Sequence, residues 1–481
     1  MRLLFVASEA FPLVKTGGLA DVAGALPQAL ARLGADCRLL LPAYPEALEA
    51  LGRYRAVASV GDPYGAGQAR LLEGRLGDVK TWLIDCPPLY SRIGNPYLDA
   101  EGRDWPDNAL RFGLLGWVAA RLSQPSSPLP WRPDVLHVND WQAGLAPAYL
   151  SAWGGPRPGT VLTIHNIAYQ GLFPAETMVA LGLPWSMYGI DGLEYWGRIS
   201  FLKAAISYCD KLTTVSPTYA REIQTSPHGC GLDGLLSKRA SDLTGILNGV
   251  DYEVWNPEKD PHLAHPYRPG DAASKAANKA AIQAELGLST SAESPLFVVV
   301  SRLNEHKGMD LVLAILPFLL SQGAQLAVLG SGDHALEEGF RAVAAKHPSQ
   351  VAAVIGYSER MAHRLQAGGD MLLMPSRAEP CGLTQFYAFR YGTVPIVHGT
   401  GGLADSVVDV SYDSLQAGAA TGFSFGPPTA SAFQWAVERA LALFRKRATW
   451  RRILAAGAAQ DFGWDASARK YLNLYSALAD R

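Results

Sequence analysis

Four charged residues stand where they could grip a diphosphate and a sugar. Arg302 lies just past the apolar run "PLFVVVS", and Lys307 follows five residues later, directly before Gly308 and a helical pattern. Lys15 precedes the glycine pair Gly17 and Gly18, and Glu379 sits in "SRAEPCGLT" between a strand-like run and a helix start. A guanidinium binds phosphate oxygens as a fork and an ammonium as a point charge, so cations beside helix starts suit a pyrophosphate. Backbone N–H groups of Gly382, Leu383 and Thr384 would add donors, and the Glu379 carboxylate can accept hydrogen bonds from hydroxyls. Plainer readings stand beside these: a solvated lysine on a helix-packing glycine pair, a surface Arg/Lys pair, and a helix-start charge at Glu379 stabilising by about 0.3–1 kcal/mol. Cys381 has no histidine near it in sequence and reads as a small buried filler rather than a nucleophile.

The hexapeptide TGGLAD occurs at residues 16–21 and again at 400–405, with a lysine in front of the first copy and Gly399 in front of the second. One reading has two lobes each presenting a glycine turn to one cleft, with only the first adding charge. The other has two similar turns with no shared purpose. Neither G-x-G-x-x-G nor G-x-x-x-x-G-K-[ST] is present at the first turn, which weighs against a nicotinamide oxidoreductase.

Positioning these groups falls to a series of short β-rich runs separated by helix-length stretches: "RLLFVAS", "DVLHVND", "TVLTIHN", "KLTTVS" and "TGILNGV", then "PLFVVVSR", "AQLAVLGSG", "VAAVIGY", "DMLLMPS" and "TVPIVHGTGG". Such runs signal buried parallel strands in βαβ units. The fold class is therefore α/β, with two Rossmann-like doubly wound parallel-sheet lobes facing a cleft. The expected domains are residues 1–250, residues 251–459, and a closing helix over 460–481 that packs back on the first lobe. Asp140, His165, Asn166, Asn248, Arg302 and Tyr357 all fall at carboxyl ends of the runs, the edge where open α/β sheets bind ligands.

The composition narrows the class. With 42 basic and 44 acidic residues the formal net charge is -2, so nucleic acid is not an expected partner. The apolar run over residues 311–320 is half a membrane span and holds Pro317, and the start, cut by Glu9 and Pro12, reads as a strand rather than a signal peptide. No membrane is expected. Five cysteines without a Cys-x-x-Cys pair suit a reducing cytoplasm and argue against a disulfide framework or structural zinc.

Taken in order and spacing, "KTGGLADV", "TIHNIAYQG", "SRLNEHKG" and "RAEPCGLTQFYAFRYG" resemble bacterial glycogen synthases and plant starch synthases, and the likeness covers nearly the whole chain. The resemblance implies the two-lobe GT-B glycosyltransferase fold, a nucleotide diphosphate glucose donor, and extension of an α-1,4-glucan with retention at the anomeric carbon. Likeness to bacterial members favours ADP-glucose, with UDP-glucose the alternative. By the same resemblance Lys15 and Gly18 would meet the donor's diphosphate, Arg302 and Lys307 would neutralise it, and Thr384 would donate to it. Glu379 would hold sugar hydroxyls, His165 would lie beside the anomeric carbon with Asp140, Asn166 and Asn248 near, and Tyr357 would face the base. Cys381, Gly382 and Leu383 share the donor loop, and Asp21 is a family position of open role. Gln142 and Ala378 depart from the family pattern beside the site.

Loss of a diphosphate favours cations already in place, and the chain has no Asp-x-Asp pair of the kind that holds a divalent ion in other glycosyltransferases. Neither a metal nor any other cofactor is expected. A front-face displacement, with a phosphate oxygen taking the acceptor's proton and Glu379 positioning the sugar, is favoured over a covalent adduct on Glu379. Tyr97 and Trp105, in the segment 93–112, suit stacking on acceptor sugar rings or ordinary core packing. The competing readings are a nucleotide-sugar isomerase of the same fold and a catalytically silent glucan-binding protein.

Overall fold

A computed structural model describes residues 1–479. The chain forms two compact units, Met1–Gly249 joined by the chain from Trp464 onward, and Val250–Gly463. The changes of unit thus fall at 249/250 and 463/464.

The first unit is built on a nine-stranded sheet in the order β12-β11-β7-β6-β1-β2-β5-β4-β3. Its strands are β1 (Arg2–Val6), β2 (Asp36–Pro42), β3 (Arg55–Gly61), β4 (Ala69–Leu76), β5 (Val79–Asp85), β6 (Val135–Asn139), β7 (Gly159–Ile164), β11 (Lys211–Thr214) and β12 (Leu243–Gly245). Three further short strands, β8 (Leu172–Pro174), β9 (Glu194–Tyr195) and β10 (Arg198–Ser200), make a separate small sheet. The stretch from β12 to β5 is parallel, and β4 and β3 extend it as antiparallel edge strands. Leu3, Leu4, Phe5 and Val6 of β1 are fully buried because helices cover both faces of a parallel sheet. The helix Gly18–Arg32 turns Leu19, Val22, Ala23, Leu26 and Leu30 inward. The last helix, Trp464–Ala479, lies beside it: Arg32 reaches Asp465 at 3.3 Å, and buried Tyr475 meets His137 of β6 at 2.7 Å.

The second unit carries six parallel strands in the order β15-β14-β13-β16-β17-β18. They are β13 (Leu296–Val300), β14 (Gln325–Gly330), β15 (Val351–Ile355), β16 (Met371–Met374), β17 (Val394–His398) and β18 (Phe423–Phe425). Phe297, Val299, Val312, Ile315, Phe340, Leu373, Ile396 and Phe433 form its core. In each sheet the chain starts in the middle and winds outward both ways. The strand order therefore reverses between β1 and β6 in one unit and between β13 and β16 in the other. Such switch points open a crevice at the carboxyl ends of the strands, where this architecture binds ligands.

Candidate functional site

At the second unit's switch point, β13 ends at Val300 and leads into Arg302, which is exposed. Asn304 then caps a single turn over Glu305–Lys307 by accepting from the Lys307 N–H at 3.0 Å. Gly308 follows with φ +70, and a Cβ there would stand 2.1 Å from the Pro375 carbonyl oxygen. Only glycine lets the turn press this closely against the exit of β16, and that press carries Lys307 to its partner. The Lys307 Nζ lies 2.5 Å from Glu379 Oε2, and the Ser376 hydroxyl donates to the same oxygen at 2.9 Å. Glu379 is buried and Lys307 half-buried.

Arg377 forks onto Asp310 with two contacts of 2.7 Å, and its N–H donates to the His306 carbonyl at 2.8 Å. It therefore ties the turn after β13 to the turn after β16. Past Glu379 the chain turns through Gly382 and opens the helix Thr384–Tyr391, so the N–H groups at its start lie immediately after the carboxylate. Cys381 is buried, with an exposure of 4%. Tyr357, beyond β15, is 74% exposed, and its hydroxyl donates to Glu359.

The second TGGLAD turn does not match the first. Gly401 and Gly402 are buried against the backbone of residues 379–381, and the Gly402 N–H donates to the Glu379 and Pro380 carbonyls at 3.1 Å each. A Cβ on Gly402 would meet Cys381 O at 2.1 Å, whereas one on Gly17 finds only Glu9 Oε1 at 3.9 Å. Glycine in the second copy serves to brace the Glu379 loop, while the first copy keeps Gly17 and Gly18 exposed. Gly402→Ala is therefore expected to lower stability by about 1–3 kcal/mol through overpacking, and Gly17→Ala to leave the melting temperature nearly unchanged. Thermal melts of the two variants side by side check this.

The first unit's switch point collects acids and amides. Glu9, just past β1, accepts from the Thr16 N–H at 2.5 Å and the Thr16 hydroxyl at 2.7 Å, fastening the glycine turn. Burial pushes its carboxyl up against these hydrogen bonds. Lys15 pairs with Asp21 at 2.9 Å, and both side chains are about a quarter exposed. Asp140, at φ +53 beyond β6, accepts the His165 N–H at 2.7 Å. Burial raises its carboxyl to about 7.

Burial drives the His165 imidazole down to about 3, so the ring is neutral at physiological pH. Its Nε2 lies 2.9 Å from Asn139 Oδ1, and Asn139 is oriented by donating to the Val6 carbonyl at 3.0 Å. An amide oxygen only accepts, so His165 carries its proton on Nε2 and leaves Nδ1 bare. Asn166 accepts from the Ala168 N–H at 3.0 Å. Asn248 is buried, and its Oδ1 has no hydrogen-bond partner. Gln142, one of the family departures, likewise buries a partnerless Oε1.

The two aromatic candidates part company. The Tyr97 hydroxyl sits 2.8 Å from Ser8 Oγ in the same acid-lined corner as Glu9. Trp105 instead lines a cavity of about 320 Å³ with Tyr44, Tyr90, Arg92, Ile93 and Arg111. Sequence reasoning missed Glu9, whereas Asn139 and Ser376 stand, like Asp140 and Arg302, at the carboxyl ends of apolar runs. Glu9 closely follows β1, a strand of the first switch point.

Residues 2–238 match the family model of the starch synthase catalytic domain, and residues 287–453 match that of group 1 glycosyl transferases. The chain is 64% identical over 482 residues to a glycogen synthase of Paramagnetospirillum magneticum, covering 99% of this chain and 98% of the relative. It is 51% identical over 479 residues to a glycogen synthase of Aromatoleum aromaticum, covering 99% and 97%. Among solved structures it is similar to the catalytic domain of starch synthase IV from Arabidopsis thaliana bound to ADP and acarbose, with TM-score 0.89, 30% identity, and 100% and 99% of the two chains covered.

Proposed function

The chain belongs to the glycogen and starch synthase family of retaining glycosyltransferases, and from that premise we propose that it transfers glucose from ADP-glucose to the non-reducing end of an α-1,4-glucan. The observation that carries the site assignment is the Lys307–Glu379 pair at the β13/β16 switch point, with the start of the helix Thr384–Tyr391 beside it. The starch synthase IV domain was solved with ADP and acarbose, a nucleotide diphosphate and a glucan-like oligosaccharide, which supports the same two ligand classes here.

In this reading Arg302 and Lys307 meet the departing diphosphate, and the N–H groups of Gly382, Leu383 and Thr384 share it. Lys15 and Gly18, at the exposed glycine turn, are assigned to the same chemical group of the donor. Cleavage of the bond between the anomeric carbon and the phosphate oxygen leaves extra negative charge on the diphosphate. Fixed cations lower that barrier because they need not reorganise as the charge develops. A leaving phosphate oxygen takes the acceptor's proton as the new glycosidic bond forms on the same face. His165, neutral with a bare Nδ1, cannot serve as a cationic acid and instead lends hydrogen-bonding edges to the sugar. Glu379 holds sugar hydroxyls. Tyr97, Asp140, Asn166 and Asn248 are assigned to sugars, and Tyr357 to the base.

The reading calls for no metal, because fixed cations would take the role of an ion. Among the described residues no group of three or more His, Cys, Asp or Glu is placed to hold one. The five cysteines, none in a disulfide, support a cytoplasmic location, and no helix among the described residues is long and apolar enough to cross a membrane.

Labelled ADP-glucose and UDP-glucose offered with glycogen, with and without a chelator, test the reading in wild type and in Lys15→Ala. Transfer from ADP-glucose should survive the chelator and fall by about 10²-fold in kcat/KM in the variant. Transfer that needs a divalent ion, or that ignores the loss of Lys15, would overturn it.

A further inference from the structure

Behind Tyr357 lies a buried ionic chain that the transfer reaction itself does not call on. His363, 1% exposed, stands one helical turn past Glu359 in the helix Glu359–Gly368. Its Nδ1 is 2.6 Å from Asp260 Oδ2, and the Tyr391 hydroxyl donates to that same oxygen at 2.6 Å. Trp255 is sandwiched between this imidazole and Tyr387, with ring centroids 3.8 and 3.7 Å apart and planes within 10°. The stack and the Asp260 contact fix the plane of the ring, so Nε2 can aim in one direction only. Glu359 Oε1 is there at 3.5 Å, while the other oxygen of that carboxylate receives the Tyr357 hydroxyl. At that separation the buried Nε2 makes no hydrogen bond.

We propose that His363 is a positioning residue for the nucleotide base: its charged form holds Glu359, and Glu359 holds the ring of Tyr357 in the orientation on which the base stacks. The inference rests on the reading that Tyr357 faces the base.

The atom that changes is Nε2. Ionised Asp260 accepts from Nδ1–H whether or not the ring is charged, so a neutral His363 keeps Nδ1–H and bares Nε2. A bare nitrogen repels the Glu359 carboxylate, and a protonated one attracts it. The other groups facing the ring are His262, edge-on at 4.8 Å, and Tyr391 across Asp260. Arg360 and Arg364 of the same helix turn away to Glu285. Burial would lower the imidazole, but the hydrogen bond with Asp260 and the negative charges of Asp260 and Glu359 outweigh it and hold His363 above its ordinary value. The charged form therefore prevails at the ordinary histidine value and below, and is lost as pH rises through the raised one.

The test follows KM for ADP-glucose and kcat across pH 5.5–8.5 in wild type, Tyr357→Phe, Glu359→Gln and Tyr357→Ala, with ADP affinity measured by calorimetry. Tyr357→Phe keeps the ring and cuts the link, so the difference between its profile and the wild-type profile removes every other titrating group, Asp140 included. Wild-type KM should rise about fivefold on the alkaline side while kcat carries no matching limb, and that rise should vanish in Tyr357→Phe and in Glu359→Gln. Superimposable KM profiles in wild type and Tyr357→Phe, with ADP affinity lost in Tyr357→Ala, would overturn the positioning role and leave base stacking intact. Unchanged ADP affinity in Tyr357→Ala would overturn both.

Discussion

Glu379→Gln is expected to lower kcat by about 10³ and at the same time to tighten ADP about tenfold. The two effects have opposite signs because the proposed function gives one carboxylate two jobs. In the structure Glu379 Oε2 holds Lys307 at 2.5 Å, the cation assigned to the departing diphosphate. A carboxylate a few ångströms from phosphate oxygens repels them, by about 3 kcal/mol at 5 Å and an effective dielectric constant of 20. Part of that repulsion is returned by the lysine, so a gain of about 1.4 kcal/mol in ADP affinity is a conservative expectation. The amide keeps the shape and the Ser376 contact but loses the charge that orients sugar hydroxyls as positive charge develops on the sugar. Single-turnover transfer and ADP calorimetry on the same preparation check both halves. If Glu379 served only as structural ballast for Lys307, ADP affinity and kcat would fall together.

That double role explains why part of the site could be read from sequence and part could not. The runs that became β13 and β16 were legible because a parallel strand covered on both faces must be apolar throughout. The residues that follow them drew attention because the carboxyl ends of parallel strands are where this architecture binds ligands, while a surface Arg/Lys pair and a helix-start charge at Glu379 stood as plainer readings. The edge strands β3 and β4, "RAVASVG" and "ARLLEGRL", mix charged with apolar positions and pair antiparallel, so no continuous apolar run announces them. Strand β18 has only three residues, too few for a period to show.

The repeated glycine turn looked symmetric because composition carries no information on what backbone will press against it. Burial against residues 379–381 makes the second copy a brace, while Gly17 and Gly18 of the first copy stay exposed. Glu9 was silent for a similar reason. A lone acid in "SEAF" gains meaning only when the chain returns Thr16 to it. The His363–Asp260 contact joins residues 103 positions apart, a pairing that only the packed helix layer brings together.

Lys307→Met is expected to cost about 10²–10³ in kcat/KM together with about 3 kcal/mol of stability, and a second substitution should separate the two losses. Removing one member of a buried ion pair strands the other. Glu379 is 6% exposed, and the Ser376 hydroxyl would still donate to its Oε2. The cost is placed at the low end of the range for such pairs because the Lys307 side chain keeps 22% of its exposure. In the double variant Lys307→Met/Glu379→Gln no charge is left unpaired, so the melting temperature should return most of the way to the wild-type value. Activity should not return, because neither the cation for the diphosphate nor the carboxylate for the sugar has been restored. Denaturant unfolding and initial rates on the three variants give the full cycle. Recovery of activity along with stability would mean that the pair acts by holding the β16 loop in shape, and that the chemistry lies with other groups.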